Sequence, residues 1–370
     1  HKQQRPPRPM SAAKRPREES TDEAVPYDVP EWKKPPCPVV KAYRNSDFLN
    51  SSHARHIRIL AEYEETMQRL RANDVRATIM IFGSARSKDR EQYDHAMFLE
   101  QTKLAAAAAG SAEAEAATAA IARMKASEWL VEYMEKIREL SKRLTEWAMS
   151  SNFGKNKVGV SGVARSTTLK KRIERSNSFE LKKTAEEGFS YLAHSSDDAY
   201  AAQSKSTTLF ICTGGGPGFM EAANRGAHDA GGKSIGMGIT LPFEKGLNPY
   251  VTPELAFEYH YFFTRKFWMA YYMQALVVAP GGFGTCDELF EIVTLKQTGK
   301  LNKDIPIVLF GKQYWEDVVN WKALAKYGTI SEKDIADFCF TDDVGEAFEF
   351  VSSRLLAGDA HIAEDVGHGE

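Results

Sequence analysis

Short apolar runs alternate with amphipathic stretches over much of this chain. Buried strands are predicted at 78–82, 208–212, 234–239, 276–279 and 305–310, where mostly apolar residues stand together. Helices are predicted where apolar residues recur at helical spacing, at 46–73, 93–149, 219–230, 315–327 and 344–356. Strands that alternate with helices indicate a parallel sheet with helices on its faces. The pattern therefore predicts the α/β class, as a Rossmann-like three-layer sandwich with a parallel sheet.

Two regions lack this periodicity and are interpreted as appendages. Residues 1–45 hold nine of the 15 prolines and no apolar period, which predicts a disordered tail. An insertion is predicted at about 105–206, where an alanine-rich low-complexity span is followed, from residue 151, by Ser, Thr, Lys and Arg. The main domain is accordingly predicted at 46–358, with a C-terminal tail at 359–370.

Composition and charge narrow the class of protein. A chain of 370 residues with 43% hydrophobic content can bury a substantial core. The formal net charge of −2 argues against nucleic acid as a partner, and no apolar run approaches the roughly 18 residues of a membrane span. We therefore expect neither a nucleic-acid nor a membrane partner.

The cysteines bear on location. All four are scattered, without the paired spacing of a zinc site. This usage fits a reducing compartment, and nothing resembles a secretory segment, so we expect a cytoplasmic location. A basic cluster from Lys14 to Arg17 could serve as a nuclear signal, although such clusters in tails are usually only solvated charge.

Two glycine turns end predicted strands and open predicted helices, the first at 214–218 and the second at 280–285. Because ligands bind at the carboxyl ends of parallel strands, we expect both turns to line one site. Backbone N–H groups at such helix starts can bind a phosphate, whereas a purely steric role for glycine is the alternative. Neither turn has the third glycine of a dinucleotide fingerprint or the GK[ST] of a P-loop.

From Tyr259 to Cys286 the only formal charges are Arg265 and Lys266, which stand among aromatic and other apolar residues. A helix that is apolar on nearly all sides is expected to be buried, and a buried cation needs an anion. That anion could be a bound phosphate or, in a plain salt bridge, a protein carboxylate. The candidate carboxylates lie close to the turns in sequence: Glu221, Glu258, Asp287 and Glu288. Glu288 is predicted at the border of the sheet-facing stripe, although the helix dipole would also explain a carboxylate there.

Together these motifs resemble the LONELY GUY (LOG) family. The resemblance is carried by PGGxGTxxE from Pro280 to Glu288, by Arg265-Lys266, and by GGGPGFME at 214–221. It covers residues 76–82 and 207 to about 356, and it looks closer to the larger, type II members. It implies a phosphoribohydrolase that cleaves the N-glycosidic bond of AMP or cytokinin riboside 5′-monophosphates to free base and ribose 5-phosphate. Members were long labelled lysine decarboxylases, and the predicted insertion has no counterpart in the family core.

The resemblance also implies roles for individual residues. Arg265 and Glu288 match the catalytic pair, and Arg265 is expected to orient Glu288 and hold its carboxylate ionised at neutral pH. The implied 5′-phosphate loop consists of Gly281, Gly282, Gly284 and Thr285. Further implied substrate-binding residues are Lys266, Gly215, Gly216, Met220, Glu221, Gly83 and Ser84.

The family resemblance implies a homodimer or dimer-based oligomer that completes its pocket across a two-fold interface. Neither a metal ion nor an organic cofactor is needed for the implied reaction. One alternative is a non-catalytic nucleotide sensor, which would keep the phosphate loop. The other is the older decarboxylase assignment, which would need pyridoxal phosphate bound through a lysine.

Overall fold

The protein is described by a computed structural model over residues 40–150, 209–240, 246–301 and 305–367, with side chains as far as residue 356. The basic cluster from Lys14 to Arg17 and the Ser/Lys-rich part of the predicted insertion lie outside the described residues. The chain divides into two compact units, 1–55 and 56–370. In the first unit, helix α1 (Ser46–Asn50) begins at Asn45, whose side-chain oxygen accepts a hydrogen bond from Phe48 N.

The second unit is built on a sheet of seven parallel strands in the order β4-β3-β2-β1-β5-β6-β7. The strands are β1 (Ala77–Phe82), β2 (Leu209–Thr213), β3 (Ser234–Ile239), β4 (Ala256–Tyr259), β5 (Met273–Val278), β6 (Ile307–Phe310) and β7 (Phe338–Thr341). The order reverses at β1, because β2 to β4 are added on one side of it and β5 to β7 on the other. Ligands in open α/β sheets bind at such a reversal, outside the carboxyl ends of the strands.

Helices cover both faces of the sheet, so the predicted α/β three-layer architecture is confirmed. Ile79 and Ile81 of β1 pack in one core cluster, whereas Met80 and Phe82 pack in a second cluster. This alternation is the period of two that a strand imposes on its side chains. The helices are α2 (Arg55–Ala72), α3 (Arg90–Ala106), α4 (Ala112–Ala126), α5 (Leu130–Ser150), α6 (Phe219–Asp229), α7 (Phe262–Tyr271), α8 (Phe283–Gln297), α9 (Lys312–Val318), α10 (Trp321–Lys326), α11 (Lys333–Ala336) and α12 (Val344–Gly367).

The two helical layers differ in composition. Helices α5, α6 and α12 pack with Ile79 and Ile81, and helices α2, α7, α8 and α9 pack with Met80 and Phe82. The first layer brings small residues together, since α6 contributes Ala222, Ala223 and Ala227. The second layer is rich in aromatic side chains. The loops that follow the strands therefore emerge between two well-packed helical layers.

Helix α5 belongs to the core, although the predicted insertion at about 105–206 includes it. Ile137, Leu140 and Leu144 are fully buried, and the Ser141 hydroxyl donates to the carbonyl oxygen of Ala223 in α6 at 2.6 Å. In α4, by contrast, Ala117 is the buried residue within the alanine-rich sequence. Alanine favours a helix but offers little side chain to pack, so α4 adds little to the core. The contribution to the core begins with α5.

Several predicted elements have different boundaries in the structure. Strands β4 and β7, of four residues each, have no predicted counterpart, because such short runs show no clear period. The predicted helix 315–327 is divided into α9 and α10, where the Asn320 side chain accepts from Ala323 N and begins a new helix. Helix α12 continues to Gly367, into the predicted tail at 359–370.

Among the helices that the structure describes, none has both the length and the apolar character to cross a membrane.

We expect Leu140→Ala to lower the free energy of unfolding by about 2–5 kcal/mol, because it leaves a cavity between α5 and the sheet. The matched control is Leu99→Ala in α3, where the side chain is 44% exposed and a change within about 0.5 kcal/mol is expected. Urea denaturation of both variants measures the difference. Equal, small effects would show that α5 is not part of the core.

Candidate active site

A cavity of about 820 Å³ opens at the carboxyl end of the sheet, where the strand order reverses. Most of its lining comes from loops that follow β1, β2 and β5 and from the starts of α5, α6, α7 and α8, and the last residue of β3 and part of α9 complete it. The β1 and β5 loops are joined directly, since Ser84 N donates to the carbonyl oxygen of Pro280 at 2.9 Å. The predicted site residues that line the cavity are Gly83, Ser84, Gly216, Met220, Arg265, Gly281, Gly282, Gly284, Thr285 and Glu288.

Arg265 and Glu288 form a buried ion pair in this cavity. Nη1 of Arg265 donates to Oε1 of Glu288 at 2.8 Å, and its Nε donates to the carbonyl oxygen of Met237 at 2.7 Å. The two residues are 8% and 7% exposed. The fold thus brings together α7, which carries the arginine, α8, which carries the glutamate, and β3. Among the candidate carboxylates, Glu288 is the one that pairs with the buried guanidinium.

Burial raises the pKa of Glu288 above its ordinary value. The charge of Arg265 and, after it, that of Lys266 lower the pKa, but burial outweighs them. Arg265 thus stabilises the ionised form but only partly offsets burial, so the carboxyl keeps its proton to a higher pH than an exposed glutamate. The expectation that this carboxylate is ionised at neutral pH stays a prediction. Since the folded-state pKa exceeds the unfolded one, the free energy of unfolding falls as the pH rises through the raised pKa.

The second glycine turn opens α8 toward the cavity. Gly282 is the N-cap, and its carbonyl oxygen accepts from Cys286 N at 2.9 Å. The first N–H groups of a helix have no partner within it, and those of α8 begin at Phe283 beside the cavity. A side chain added at Gly282 or Gly284 would meet open space, whereas one at Gly281 would collide with Thr285. The turn is anchored from outside, because the Tyr314 hydroxyl donates to the carbonyl oxygen of Gly281 at 2.7 Å.

The first glycine turn supports the buried ion pair. A Cβ at Gly214 would lie 2.6 Å from Nη2 of Arg265 and 2.8 Å from Sδ of Met220, so the backbone passes where a side chain would not fit. Gly215 lies outside the cavity lining and has a positive φ of 72°, a conformation that glycine adopts readily. Its role in this structure is to shape the turn.

A buried polar network holds the first turn in place, and no sequence motif indicated it. Gly215 N donates to Oγ1 of Thr213 at 2.9 Å, and the Thr213 hydroxyl donates to Oδ1 of Asn224 at 2.7 Å. The Asn248 side-chain amide donates to the carbonyl oxygens of Gly215 and Gly216, each at 3.0 Å. Each of these polar groups is buried and paired, which makes the turn rigid.

Lys266 and Glu221 also lie outside the cavity lining. Nζ of Lys266 is 2.7 Å from Oδ2 of Asp287 and 2.9 Å from Oε2 of Glu291, so it links α7 to α8 on either side of Glu288. Burial raises the pKa of Glu221, whose Oε1 accepts from the Gln92 side chain at 3.4 Å. The structure therefore does not bring these two predicted substrate-binding residues to the cavity.

Arg86, Trp129 and Tyr314 line the cavity and were not among the predicted site residues. Trp129 stands between α4 and α5, far in sequence from either glycine turn. Trp129 reaches the cavity because α5 begins beside the carboxyl ends of the strands. Arg86 follows Gly83 and Ser84 by two residues, and that proximity in sequence was the one available signal.

The predicted all-round burial of α7 is wrong. Phe262 and Phe263 are 52% and 56% exposed, and Phe283 at the start of α8 is 95% exposed. The opposite face of α7 is buried, with Trp268 and Met269 in the core. An apolar composition on all sides does not show which face meets the sheet. Phe262 and Phe283 also line the cavity, so its mouth has an aromatic rim.

The described residues bear on whether the site could hold a metal ion or a pyridoxal cofactor. Within that part of the chain, no group of three or more His, Cys, Asp or Glu side chains could hold a metal ion. The cavity lining formed by the described residues includes no lysine, and the amine of Lys266 is paired with two carboxylates. The described lining thus does not fit a cofactor held as a lysine Schiff base.

Comparison with known proteins relates part of the chain to one family. The model of the family described as possible lysine decarboxylase matches residues 220–351, which include Arg265, Glu288 and the second glycine turn. Among solved structures, the X-ray structure of TM1055, a Northeast Structural Genomics Consortium target, is 23% identical, with 39% of this chain and 78% of that chain covered and a TM-score of 0.29. No curated protein matched the chain significantly. Residues 220–351 are thus similar to the family whose older label the LONELY GUY proteins carried.

We expect Arg265→Gln to raise the pKa of Glu288 further, because the guanidinium is the strongest influence that lowers it. Lys266→Gln, as the matched comparison, is expected to raise it less. Carbon-13 NMR of labelled glutamate side chains can follow the titration, with Glu288→Gln identifying the signal. An unchanged or lower pKa in Arg265→Gln would contradict the coupling of the two groups.

Proposed function

We propose that this cavity is the active site of a nucleoside 5′-monophosphate phosphoribohydrolase. It would hydrolyse the N-glycosidic bond of AMP or cytokinin-type monophosphates to free base and ribose 5-phosphate. The observation that carries the proposal is the buried Arg265–Glu288 pair in the same cavity as an open helix start. The match of residues 220–351 to the family described as possible lysine decarboxylase supports it.

The start of α8 suits the 5′-phosphate. Its first N–H groups and the positive end of the helix dipole favour an anion, and Gly282 and Gly284 leave space for one to approach the backbone. The Thr285 side chain is also part of the lining, where its hydroxyl can donate to a phosphate oxygen. With the phosphate at this turn, the ribose would extend toward Glu288, farther along the same helix.

Glu288 is proposed to act at C1′ of the ribose. The C1′–N bond breaks with its electron pair leaving on the base, while a water oxygen bonds to C1′ and the base takes up a proton. The transition state carries positive charge on the ribosyl group, which a carboxylate 7% exposed would stabilise strongly. The ionised carboxylate would also accept the proton of the attacking water. Its raised pKa makes it a better base than an exposed glutamate.

Arg265 is proposed to orient this carboxylate. The guanidinium is fixed by two hydrogen bonds, to Glu288 and to the carbonyl oxygen of Met237. Because the planar guanidinium has little freedom, the carboxylate of Glu288 is held in one position relative to β3. Lys266, paired with Asp287 and Glu291, would hold the two helices together from outside the cavity.

A panel of nucleoside 5′-monophosphates, assayed for free base and ribose 5-phosphate, tests the proposal. Release of adenine from AMP supports hydrolysis. Tight binding of AMP with no release of base would support the non-catalytic sensor instead. The decarboxylase alternative is disfavoured, because no lysine belongs to the described cavity lining.

We expect Glu288→Gln to retain AMP binding but to lower turnover by at least about 100-fold, because the amide can neither accept the proton nor carry the charge. Arg265→Lys is also expected to be strongly impaired, since an ammonium lacks the guanidinium fork. The control is Glu316→Gln, an exposed glutamate of α9 outside the cavity. Near-normal kcat in Glu288→Gln, with binding measured by calorimetry, would refute the role of this carboxylate.

We expect wild-type protein to cleave AMP and barely to touch adenosine, since adenosine lacks the phosphate that α8 would bind. Gly284→Val should raise KM for AMP, because its side chain would occupy the open space at the first turn of α8. Gly284→Ala provides a smaller step at the same position. Comparable kcat/KM values of the wild-type protein for AMP and adenosine would exclude the phosphate role. The two glycine variants are compared with wild type only if their melting temperatures are close to it.

A homodimer is also part of the proposal. Phe262 and Phe283 line the cavity and are exposed, and Phe263, the next residue after Phe262 in α7, is exposed as well; these three side chains are taken together as the apolar rim. Exposed apolar surface at a concave site favours association, and a second copy seated there would complete the pocket. The substrate remains a small nucleotide, with no nucleic-acid or membrane partner proposed. We also propose a cytoplasmic location, which suits free cysteines at 212, 286 and 339.

We expect Phe263→Glu to convert a dimer to monomers, because it places a charge in the apolar rim. Phe98→Glu in α3 is the control, since Phe98 is 64% exposed but lies away from the cavity lining. Analytical ultracentrifugation measures the mass of each variant. A wild-type monomer at micromolar concentration, or a dimer that persists in Phe263→Glu, would rule out this interface.

A further inference from the structure

The cavity extends past the glycine turn that would bind the 5′-phosphate. Its lining begins at Ile239, the last residue of β3, passes the loops after β2, β1 and β5, and ends at Tyr314 and Val318 of α9, which follows β6. These five strands are neighbours in the sheet. Adjacent strands are about 4.8 Å apart, so the row of strand ends measures about 19 Å.

The proposed nucleotide position uses only part of this length. Arg265 is bound to the carbonyl oxygen of Met237 in β3, so the catalytic pair marks the β3 side. The start of α8 follows β5 and marks the position of the phosphate. A monophosphate with its phosphate at α8 and C1′ at Glu288 therefore lies between β5 and β3. The β6 end lies on the far side of the phosphate.

An aromatic surface faces the cavity at this β6 end. Trp129 is 43% exposed and lies against Tyr314, with ring centroids 5.7 Å apart, and against Tyr133 at 5.5 Å. Both supporting tyrosines are themselves held, since the Tyr314 hydroxyl donates to the carbonyl oxygen of Gly281 and that of Tyr133 donates to Asp342. The indole is thus supported from two sides beside the second glycine turn, which lowers the entropy lost when a ligand stacks on it.

One guanidinium in the cavity lining has no acidic partner among the described residues. Arg265 is paired with Glu288, and Asp287 is paired with Lys266. Arg86 lines the same cavity after β1 and is exposed, and no carboxylate of the described chain lies within ion-pair distance of it. A planar guanidinium suits phosphate oxygens, so a second phosphate group could be bound there.

We propose that Trp129, Tyr314 and Arg86 form a second subsite for a ring-bearing group joined to the nucleotide through its 5′-phosphate. The ligand class is a dinucleotide in which a phosphate or diphosphate links two nucleosides. One nucleoside would lie toward Glu288, the linking phosphates at α8 and Arg86, and the second base against Trp129. This inference rests on the proposed function, because that function sets the direction of the nucleotide in the cavity.

The test compares AMP with diadenosine diphosphate by calorimetry on the full chain carrying Glu288→Gln, which prevents turnover during the titration. We expect the dinucleotide to bind at least about tenfold more tightly than AMP, as stacking of one base on an aromatic side chain would provide. Adding Trp129→Ala should bring the ratio of the two affinities close to one. Trp129→Phe in its place should retain much of the preference for the dinucleotide. Phe98→Ala, an exposed aromatic residue outside the cavity, should leave the ratio unchanged.

A dinucleotide that binds no more tightly than AMP would overturn the subsite, as would a ratio that Trp129→Ala leaves unchanged. If Trp129→Ala does not fold, Trp129→Leu and Arg86→Gln provide the same comparison. Release of adenine from AMP by the wild-type chain is measured separately. Cleavage of AMP without a preference for the dinucleotide refutes the subsite alone, whereas a Trp129-dependent preference without cleavage refutes the hydrolase proposal alone.

Discussion

The buried pair of Arg265 and Glu288 is the constraint on which the rest of the site depends. Taking two charges out of water is unfavourable unless they meet in good geometry with their remaining polar atoms satisfied. Here the guanidinium also donates to a β3 carbonyl group, and the first glycine turn passes close enough to exclude any side chain at Gly214. The strand, both helices and the turn must therefore keep fixed positions for the pair to be tolerated.

Ordinary packing and hydrogen bonds keep the surrounding elements in these fixed positions. The Thr213, Asn224 and Asn248 network holds one turn, and the Tyr314 hydroxyl holds the other. Lys266 links α7 and α8 on their outer side, next to the buried Arg265–Glu288 pair. A site in which burial raises the pKa of a carboxyl while a fixed cation opposes that rise is typical of acid–base chemistry. The glycine turns at the strand ends are rigid, and the aromatic side chains at the cavity mouth are exposed. Both features suit a small ligand that enters between the two helical layers.

The sequence predicted which residues meet in the cavity better than it predicted the helices around them. The pairing of Arg265 with a carboxylate near the second turn followed from the rule that a buried cation needs an anion, and Glu288 supplies it. Lys266, adjacent in sequence to Arg265, was expected at the same site and instead points to Asp287 and Glu291. Neighbouring residues on a helix differ by about 100° in direction, so sequence proximity cannot place both in one cavity.

By itself, the sequence determined the α/β class, the parallel sheet and the two glycine turns, because these depend on local periodicity and on backbone freedom. Only the tertiary structure decided that Trp129 reaches the cavity, that α5 is a core helix and that one face of α7 is exposed. It also decided that Gly215 and Glu221 lie outside the lining. The physical reason is that local patterns record which residues prefer burial, whereas strand order and helix packing determine which side chains meet.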